Sequence, residues 1–215
     1  MENQPLAVQI DLPFSFRAQH RRATLAYLVE RRAMSDADWL TDEEAFDLLR
    51  GAKARLGGRE KTFEEIYNEV VENKYADDFI QRLLQASDVP QEAERLRHEI
   101  AKTIISQLTE LGWFDPRTKD SRFLLAYCLF WWYSFTKGYA FEIEIFADLK
   151  KSGVAFNAHD LRVRAERFSA FDLFVLTFCG DIKTSTYFLF LRPKTPATAD
   201  FYITRLYARQ RTWLL

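Results

Sequence analysis

The sequence predicts a protein of mixed α+β or α/β class, 215 residues long, in which a helical first part precedes a helix and a β-sheet. Apolar residues recur every three to four positions up to about residue 120, and beyond Gly153 they alternate with polar residues. The hydrophobic fraction of 48% and the aromatic fraction of 15% exclude a disordered chain. We therefore expect an α-helical N-terminal domain at 1–120 and an α/β core at 121–215.

Helix-end signals define the elements of the first domain. Capping boxes at Thr41–Glu44 and Thr62–Glu65 each predict the start of a helix, because the threonine and the glutamate satisfy free amides of the first turn. Gly57-Gly58 is expected to end the first of these helices. Asp88 predicts the start of a third helix and Gly112 its end. No catalytic spacing occurs here, so we expect this domain to contact a substrate, a partner or a second subunit.

Cysteine usage and the apolar runs bear on localisation. Cys128 and Cys179 both lie inside apolar segments, so a disulfide framework is not expected and a reducing cytoplasm is the default compartment. The first 12 residues lack the basic start and apolar block of a signal peptide. The run Phe123–Phe135 is too short to span a bilayer and predicts a buried helix. We expect a cytoplasmic protein with no membrane partner.

The second domain is predicted to contain a helix at 138–153 followed by three strands. Leu161–Phe168 alternates apolar and charged residues, as a half-exposed strand does. Apolar residues then alternate on both sides of the turn-like Cys179-Gly180, and Tyr187–Leu191 continues the second arm. The segment 171–191 therefore predicts a β-hairpin. A further helix at 197–211 would follow it.

Charged residues interrupt the predicted hairpin. A carboxylate among buried neighbours is costly unless it is paired or binds a cation, which makes Asp172 and Asp181 functional candidates. If Leu176 faces Asp181 across a four-residue turn, Asp172 faces Ser185. The side chains of Asp172, Asp181 and Lys183 then share one face, provided that the loop has an even number of residues.

This arrangement resembles the PD-(D/E)xK nuclease superfamily, which includes many restriction endonucleases, junction resolvases and repair nucleases. The resemblance covers about 138–191 and implies a restriction-endonuclease-like core, a helix followed by a mixed β-sheet. Of the three acidic-x-Lys triplets in the chain, only Asp181–Lys183 has strand-like flanks and a strand Asp upstream. The helix offers Glu142 at the border of its packed face, with Glu144 as the alternative.

The resemblance implies roles for the residues that match its motif. Asp172, Asp181, Lys183 and Glu142 would be catalytic, and Mg²⁺ or Mn²⁺ would be held by the carboxylates and the backbone carbonyl of Ile182. The implied function is a metal-dependent endonuclease that acts on DNA. One alternative is a catalytically inactive nuclease-fold module that binds nucleic acid or assembles a complex. A second is a helical regulator whose C-terminal half is a dimerisation sheet.

The charge distribution indicates where nucleic acid would bind. Residues 1–120 carry 17 Lys and Arg against 23 Asp and Glu, a balance of −6, whereas residues 121–215 carry 13 against 8, a balance of +5. Neutralising phosphates supplies most sequence-independent affinity, so a basic groove in the second half is expected. The alternative is that these side chains solvate exposed faces. The candidates are Arg162, Arg164, Arg167, Arg205 and Arg209, with Arg192, Lys194 and Arg211 beside them.

Two further features were weighed against the nuclease pattern. The helix at 197–211 leaves only Trp213–Leu215 for a last strand, so we expect either a homodimer or larger complex that completes the sheet, or a fragment of a longer product. The pair His159-Asp160 could bind a metal ion. His20 and His98 have no ligand spacing to it, however, which favours a capping role for this pair.

Overall fold

The computed structural model describes residues 46–184 and 199–204. These residues form helices and a mixed β-sheet, which confirms the predicted α+β class. They divide into two compact units, one of 46–67 and 108–128 and the other of 68–107, 129–184 and 199–204. The predicted boundary at residue 120 lies in the first turn of a long helix, Lys119–Lys151. No helix in the described part of the chain is long and apolar enough to cross a membrane.

The first unit contains a β-hairpin. Strands β1 (Lys53–Leu56) and β2 (Arg59–Thr62) pair antiparallel around the two-residue turn Gly57-Gly58. Both glycines have positive φ angles, 55° and 80°, as type I′ turns require. The prediction that this pair ends a helix is therefore wrong, because the same left-handed backbone that ends a helix also closes a hairpin.

Four α-helices follow the first hairpin. They are α1 (Phe63–Tyr67), α2 (Asn73–Gln85), α3 (Val89–Glu110) and α4 (Lys119–Lys151), with a π-helical turn at Asn68–Glu72 between α1 and α2. Local capping signals determine where these helices begin and end, and their buried apolar residues stabilise them.

The predicted capping signals are found at α1 and α3. The Glu65 amide donates to Thr62 Oγ1 over 3.1 Å, and the Thr62 amide donates to Glu65 Oε2 over 2.7 Å. Asp88 Oδ1 accepts a hydrogen bond of 3.0 Å from the Gln91 amide, and Gly112, with φ of 78°, follows the end of α3. These three predictions are confirmed. The predicted capping box at Thr41–Glu44 lies outside the described residues.

Helix α4 joins two segments that the sequence analysis treated separately. It contains the apolar run Phe123–Phe135, whose Trp132 ring is buried and lies 5.4 Å from that of Phe79. The predicted start at Gly138 is wrong, because the helix passes through this glycine without interruption. A single glycine inside a helix costs only about 1 kcal/mol, which the packing of a long apolar face offsets.

Four strands form the second sheet. They are β3 (Asn157–Ala158), β4 (Leu173–Val175), β5 (Phe178–Lys183) and β6 (Phe201–Thr204), in the order β3-β4-β5-β6. The first three run antiparallel, and β6 runs parallel to β5. Phe141 of α4 forms a buried cluster with Leu173 and Ile182, so the C-terminal part of α4 packs on this sheet.

Two predicted elements are replaced by other structures. The predicted strand Leu161–Phe168 is instead a series of turns that ends in a 3₁₀ helix, Glu166–Phe168. Asp160 starts these turns. Its carboxylate accepts a hydrogen bond of 3.0 Å from the Arg162 amide, and its carbonyl accepts one of 2.9 Å from the Val163 amide. Of the charged residues that produced the alternation, Arg162 and Glu166 contact Asp160 within the turns, whereas Arg164 and Arg167 pair with Glu72 and Asp77.

The predicted helix at 197–211 is also wrong where the structure describes it. Phe201–Thr204 is β6, and Phe201 and Ile203 pack against the buried cluster of Phe141, Leu173 and Ile182. Backbone pairing with β5 therefore decides its conformation. Residues 197–198 and 205–215, with the predicted stub Trp213–Leu215, lie outside the described residues, as does Tyr187–Leu191 of the second hairpin arm.

The β4–β5 hairpin differs from prediction in its turn but keeps the even-numbered loop. Val175 pairs with Phe178, so the turn is Leu176-Thr177, and Cys179-Gly180 lies inside β5. The pairing of Leu173 with Gly180 places Asp172 next to Asp181, whereas the predicted partner, Ser185, lies outside the described residues. A Cβ atom at Gly180 would lie 2.2 Å from the Phe201 ring, so close packing explains this glycine.

Candidate metal centre

Glu142 enters the site from α4. Its neighbour Phe141 is part of the buried cluster, and the Glu142 side chain, on the border of that packed face, is only 13% exposed. The alternative, Glu144, faces a separate cavity of about 170 Å³, which is also lined by Arg97 and Tyr133. The structure thus brings Glu142 to the sheet as the helical spacing predicted.

His159 follows β3 directly and contacts Glu142. Its Nε2 atom lies 3.2 Å from Glu142 Oε2, and its side chain is 5% exposed. The Phe146 ring meets the imidazole edge-on at 6.1 Å between centroids. The backbone amide of His159 donates to the carbonyl of Asp172 at 3.2 Å. The imidazole is thereby fixed between α4 and β4.

Asp172, Asp181 and Lys183 lie together at the β4–β5 hairpin. Asp172 Oδ2 accepts a hydrogen bond of 2.7 Å from the amide of Ile182, and its carboxyl group hydrogen-bonds to that of Asp181. Lys183 Nζ lies 2.7 Å from Asp181 Oδ1. The Ile182 side chain is buried in the core, and its backbone carbonyl stays a predicted ligand.

Three of these side chains offer ligand atoms around one point. One donor atom from each of Glu142, His159 and Asp172 lies within 4.8 Å of the other two. Two carboxylates and an imidazole are ligands that bind divalent cations in proteins, so the chemistry of this set fits a metal ion. We call these three residues the acid–imidazole cluster. Asp181 and Lys183 flank it.

Burial shifts the proton affinities of the cluster. Burial, the hydrogen bond to Asp181 and the nearby charge of Glu142 raise the pKa of Asp172 to about 7. Burial also raises the pKa of Glu142, although His159 partly opposes this shift. Burial lowers the pKa of His159, but the hydrogen bond and charge of Glu142 outweigh it, so the net pKa is raised. A divalent cation would compensate the cost of ionising these buried carboxyl groups.

The described candidates for the basic groove make ion pairs within the chain. Arg162 binds Asp160 at 2.8 Å and Arg164 binds Glu72 at 3.2 Å, and their side chains remain 64% and 50% exposed. Arg167 is only 4% exposed, and it contacts Asp77 and the carbonyl of Leu161. Arg167 therefore stabilises the packing of this segment and is not part of an exposed binding surface. The remaining candidates, Arg205, Arg209, Arg192, Lys194 and Arg211, lie outside the described residues.

His159 is the site residue that sequence reasoning considered as a metal ligand and assigned to capping instead. Spacing to other histidines was the wrong criterion, because its partners are carboxylates on α4 and just before β4. The only signal was its neighbour Asp160, which forms the turn after β3 while His159 faces the sheet's partner helix. A contact between residues 17 positions apart depends on the packing of α4 against the sheet.

Comparisons of the chain with protein-family models, curated proteins and solved structures find no match. The resemblance to PD-(D/E)xK nucleases therefore stays a prediction from the sequence motif. The geometry of the acid–imidazole cluster supplies the basis for a functional proposal.

Proposed function

We propose that this chain is a metal-dependent nuclease that hydrolyses phosphodiester bonds, with DNA as the expected substrate. The observation that carries the proposal is the acid–imidazole cluster beside the Asp181–Lys183 ion pair. A buried acid from α4 and one from the position just before β4 converge with an acid and a lysine of β5. A set of perturbed carboxylates in one place is typical of a catalytic centre.

The order of elements supports a restriction-endonuclease-like core. Helix α4 is followed by three antiparallel strands, and a later strand, β6, joins the sheet parallel to β5. The helix contributes Glu142, and two adjacent strands contribute the acids and the lysine. This is the distribution that the resemblance implies.

Each side chain has a role that its surroundings support. The carboxylates of Glu142, Asp172 and Asp181 and the carbonyl of Ile182 would hold Mg²⁺ or Mn²⁺. When bound, such a cation supplies a Lewis acid for the phosphate and lowers the pKa of a water ligand. Lys183 is 46% exposed, so its ammonium group can approach a phosphate and stabilise developing negative charge while Asp181 orients it.

Nucleic acid is the proposed partner on the basis of charge. Residues 121–215 carry the positive excess, and the exposed guanidinium groups of Arg162 and Arg164 can exchange their carboxylate partners for phosphates. Arg167 is excluded from this role by its burial.

Cleavage assays with matched variants test the proposal. Purified protein is incubated with plasmid, linear, single-stranded and branched DNA and with RNA, in Mg²⁺ or Mn²⁺. We expect Asp181→Asn and Lys183→Met each to lower the cleavage rate at least about 100-fold, as expected for residues that act directly on the reaction. Circular dichroism checks that each variant is folded.

The chain supplies its own control in the triplet Asp148-Leu149-Lys150 on α4, whose Asp148 and Lys150 are exposed. Asp148→Asn and Lys150→Met change the same residue types in the same spacing and should leave cleavage unchanged. Cleavage that persists in Asp181→Asn would assign the activity to another site or to a contaminant. A folded wild-type protein that cuts none of the substrates would favour the catalytically inactive module.

A further inference from the structure

The acid–imidazole cluster contains a nitrogen donor that the motif does not require. His159 is 5% exposed, and three neighbours fix it: Glu142 at Nε2, Phe146 at the ring and Asp172 at the backbone amide. A histidine held this firmly presents its ring nitrogens in a defined direction. Its position beside two acids calls for a chemical explanation.

The second ring nitrogen of His159, Nδ1, gives a reason to consider metal binding. His159 Nδ1 is buried and makes no hydrogen bond of normal geometry among the described residues, although the backbone of Glu166 lies near the ring. A buried polar atom without a partner destabilises the folded state, and it is rare in folded proteins unless a ligand, an ion or a water molecule satisfies the group. The ring therefore has bonding capacity beyond its contact with Glu142. This is an observation about the imidazole itself, separate from the clustering of the acids.

We propose that His159 is a metal ligand, with Glu142 and Asp172, and that its nitrogen makes the site favour first-row transition-metal ions over Mg²⁺. Mg²⁺ is bound almost entirely by oxygen, whereas imidazole suits ions such as Zn²⁺ and Fe²⁺; Mn²⁺, which accepts both kinds of ligand, serves as the paramagnetic probe. The ligand atoms of the three residues already lie within 4.8 Å of one another. The inference rests on the proposed function for the use of a divalent cation, and it adds the metal preference of that same site.

Mn²⁺ alone is the probe for a test that does not depend on cleavage. Protein freed of metal with a chelator is titrated with Mn²⁺, and binding is followed by the loss of the free-ion electron paramagnetic resonance signal. Pulsed measurements on the bound ion then detect a directly coordinated nitrogen. We expect one Mn²⁺ per chain with a nitrogen coupling that changes when histidine is labelled with ¹⁵N. Competition with Mg²⁺ measures the preference.

Two histidine variants separate ligation from other effects. His159→Gln should abolish the nitrogen coupling and weaken Mn²⁺ binding about tenfold or more, and Mg²⁺ binding should change much less. The control is His98→Gln, because His98 lies on α3 with its Nδ1 atom 2.8 Å from the Glu94 carbonyl and is exposed. This variant should keep both the coupling and the affinity. If His159→Gln does not fold, ¹⁵N-histidine labelling is applied to the double variant His20→Gln with His98→Gln, which keeps His159 as its one histidine, and a retained nitrogen coupling assigns it to His159.

The outcomes distinguish this inference from the proposed function. Bound Mn²⁺ without nitrogen coupling, or no Mn²⁺ binding, would overturn the assignment of His159 as a ligand. A protein that binds Mn²⁺ through His159 but cuts no nucleic acid would retain this inference and refute the nuclease. Cleavage in Mn²⁺ that is equally fast in His159→Gln, with unchanged Mn²⁺ affinity, would support the nuclease and refute the inference.

Discussion

The β1–β2 and β4–β5 hairpins both close with two-residue turns, but only the first follows local rules throughout. In β1–β2, glycines occupy both turn positions, and Glu60 pairs with Lys53 and Arg55 at 2.7 and 2.6 Å on an exposed surface. Opposite charges across a strand pair and glycines at positive φ are the choices that stabilise a hairpin. Nothing about this element requires a function.

The β4–β5 hairpin departs from those rules twice. Leu176 has a φ of 55° at a turn position that glycine usually takes, and its side chain is 82% exposed. Asp172 and Asp181 lie side by side across the strand pair, and Lys183 pairs with Asp181, whereas the buried Asp172 has a raised pKa. Such departures are found at functional sites, where strained or unpaired groups lower the stability of the fold but serve binding or catalysis. The second hairpin therefore departs from local hairpin rules at the residues of the candidate site, whereas the first follows those rules.

The largest expected effect concerns the pH dependence of stability. Asp172 has a pKa raised from 3.8 to about 7 in the folded chain, so the folded state retains a proton that the unfolded state loses. Stability should therefore fall as pH rises from about 4 to about 7. A shift of this size corresponds to at most about 4 kcal/mol, and solvent around the partly exposed carboxyl reduces it. Asp172→Asn should flatten the decrease, measured by urea unfolding in chelator at pH 4 to 8.

Glu142 and His159 also have raised pKa values, so part of the decrease should remain in Asp172→Asn. Glu60→Gln in the first hairpin is the control. Its partners Lys53 and Arg55 lower the pKa of Glu60, so any contribution it makes is lost as pH falls, and it should be small because Glu60 is at the surface. A decrease of equal size in Asp172→Asn and the wild type would contradict the assignment.

A smaller effect is expected from glycine replacements in the two hairpins. Gly180→Ala places a methyl group against the Phe201 ring and should destabilise the chain by about 1 to 3 kcal/mol. Gly57→Ala meets no atom within 4 Å, so only its positive φ opposes it, which costs about 1 kcal/mol. Urea unfolding measures both. Combining Gly180→Ala with Phe201→Leu should cost less than the sum of the single changes, and strict additivity would argue against the contact.

The smallest effect is expected at the second turn. Leu176→Gly removes the strain of a left-handed leucine, about 1 to 2 kcal/mol, and adds the entropy of a glycine, about 0.5 to 1 kcal/mol. Because the side chain is exposed, little packing is lost, and we expect a gain of up to about 1 kcal/mol in urea unfolding. Thr177→Gly is the matched control, since Thr177 lacks a positive φ, and it should lower stability. A loss in Leu176→Gly would mean that the leucine makes a stabilising contact.

The sequence by itself determined the elements that depend on near neighbours. The Thr62–Glu65 capping box, the Asp88 cap and the Gly112 stop involve residues within one turn, so their side chains and spacing are sufficient. Period-two alternation placed the β4–β5 hairpin, and helical spacing placed Glu142 toward the sheet. Because a loop with an even number of residues keeps acids of both arms on one side, Asp172 and Asp181 came together despite the wrong turn.

Only the tertiary structure decided the parts that depend on distant contacts. The segment at Phe201–Thr204 is a strand because its backbone pairs with β5 and its apolar side chains reach the α4–sheet core. The alternation of Leu161–Phe168 was misleading, because Asp160 turns the chain before a strand can form. His159 joins Glu142 and Asp172 only when α4 packs on the sheet, and periodicity carries no information about a contact between separate elements.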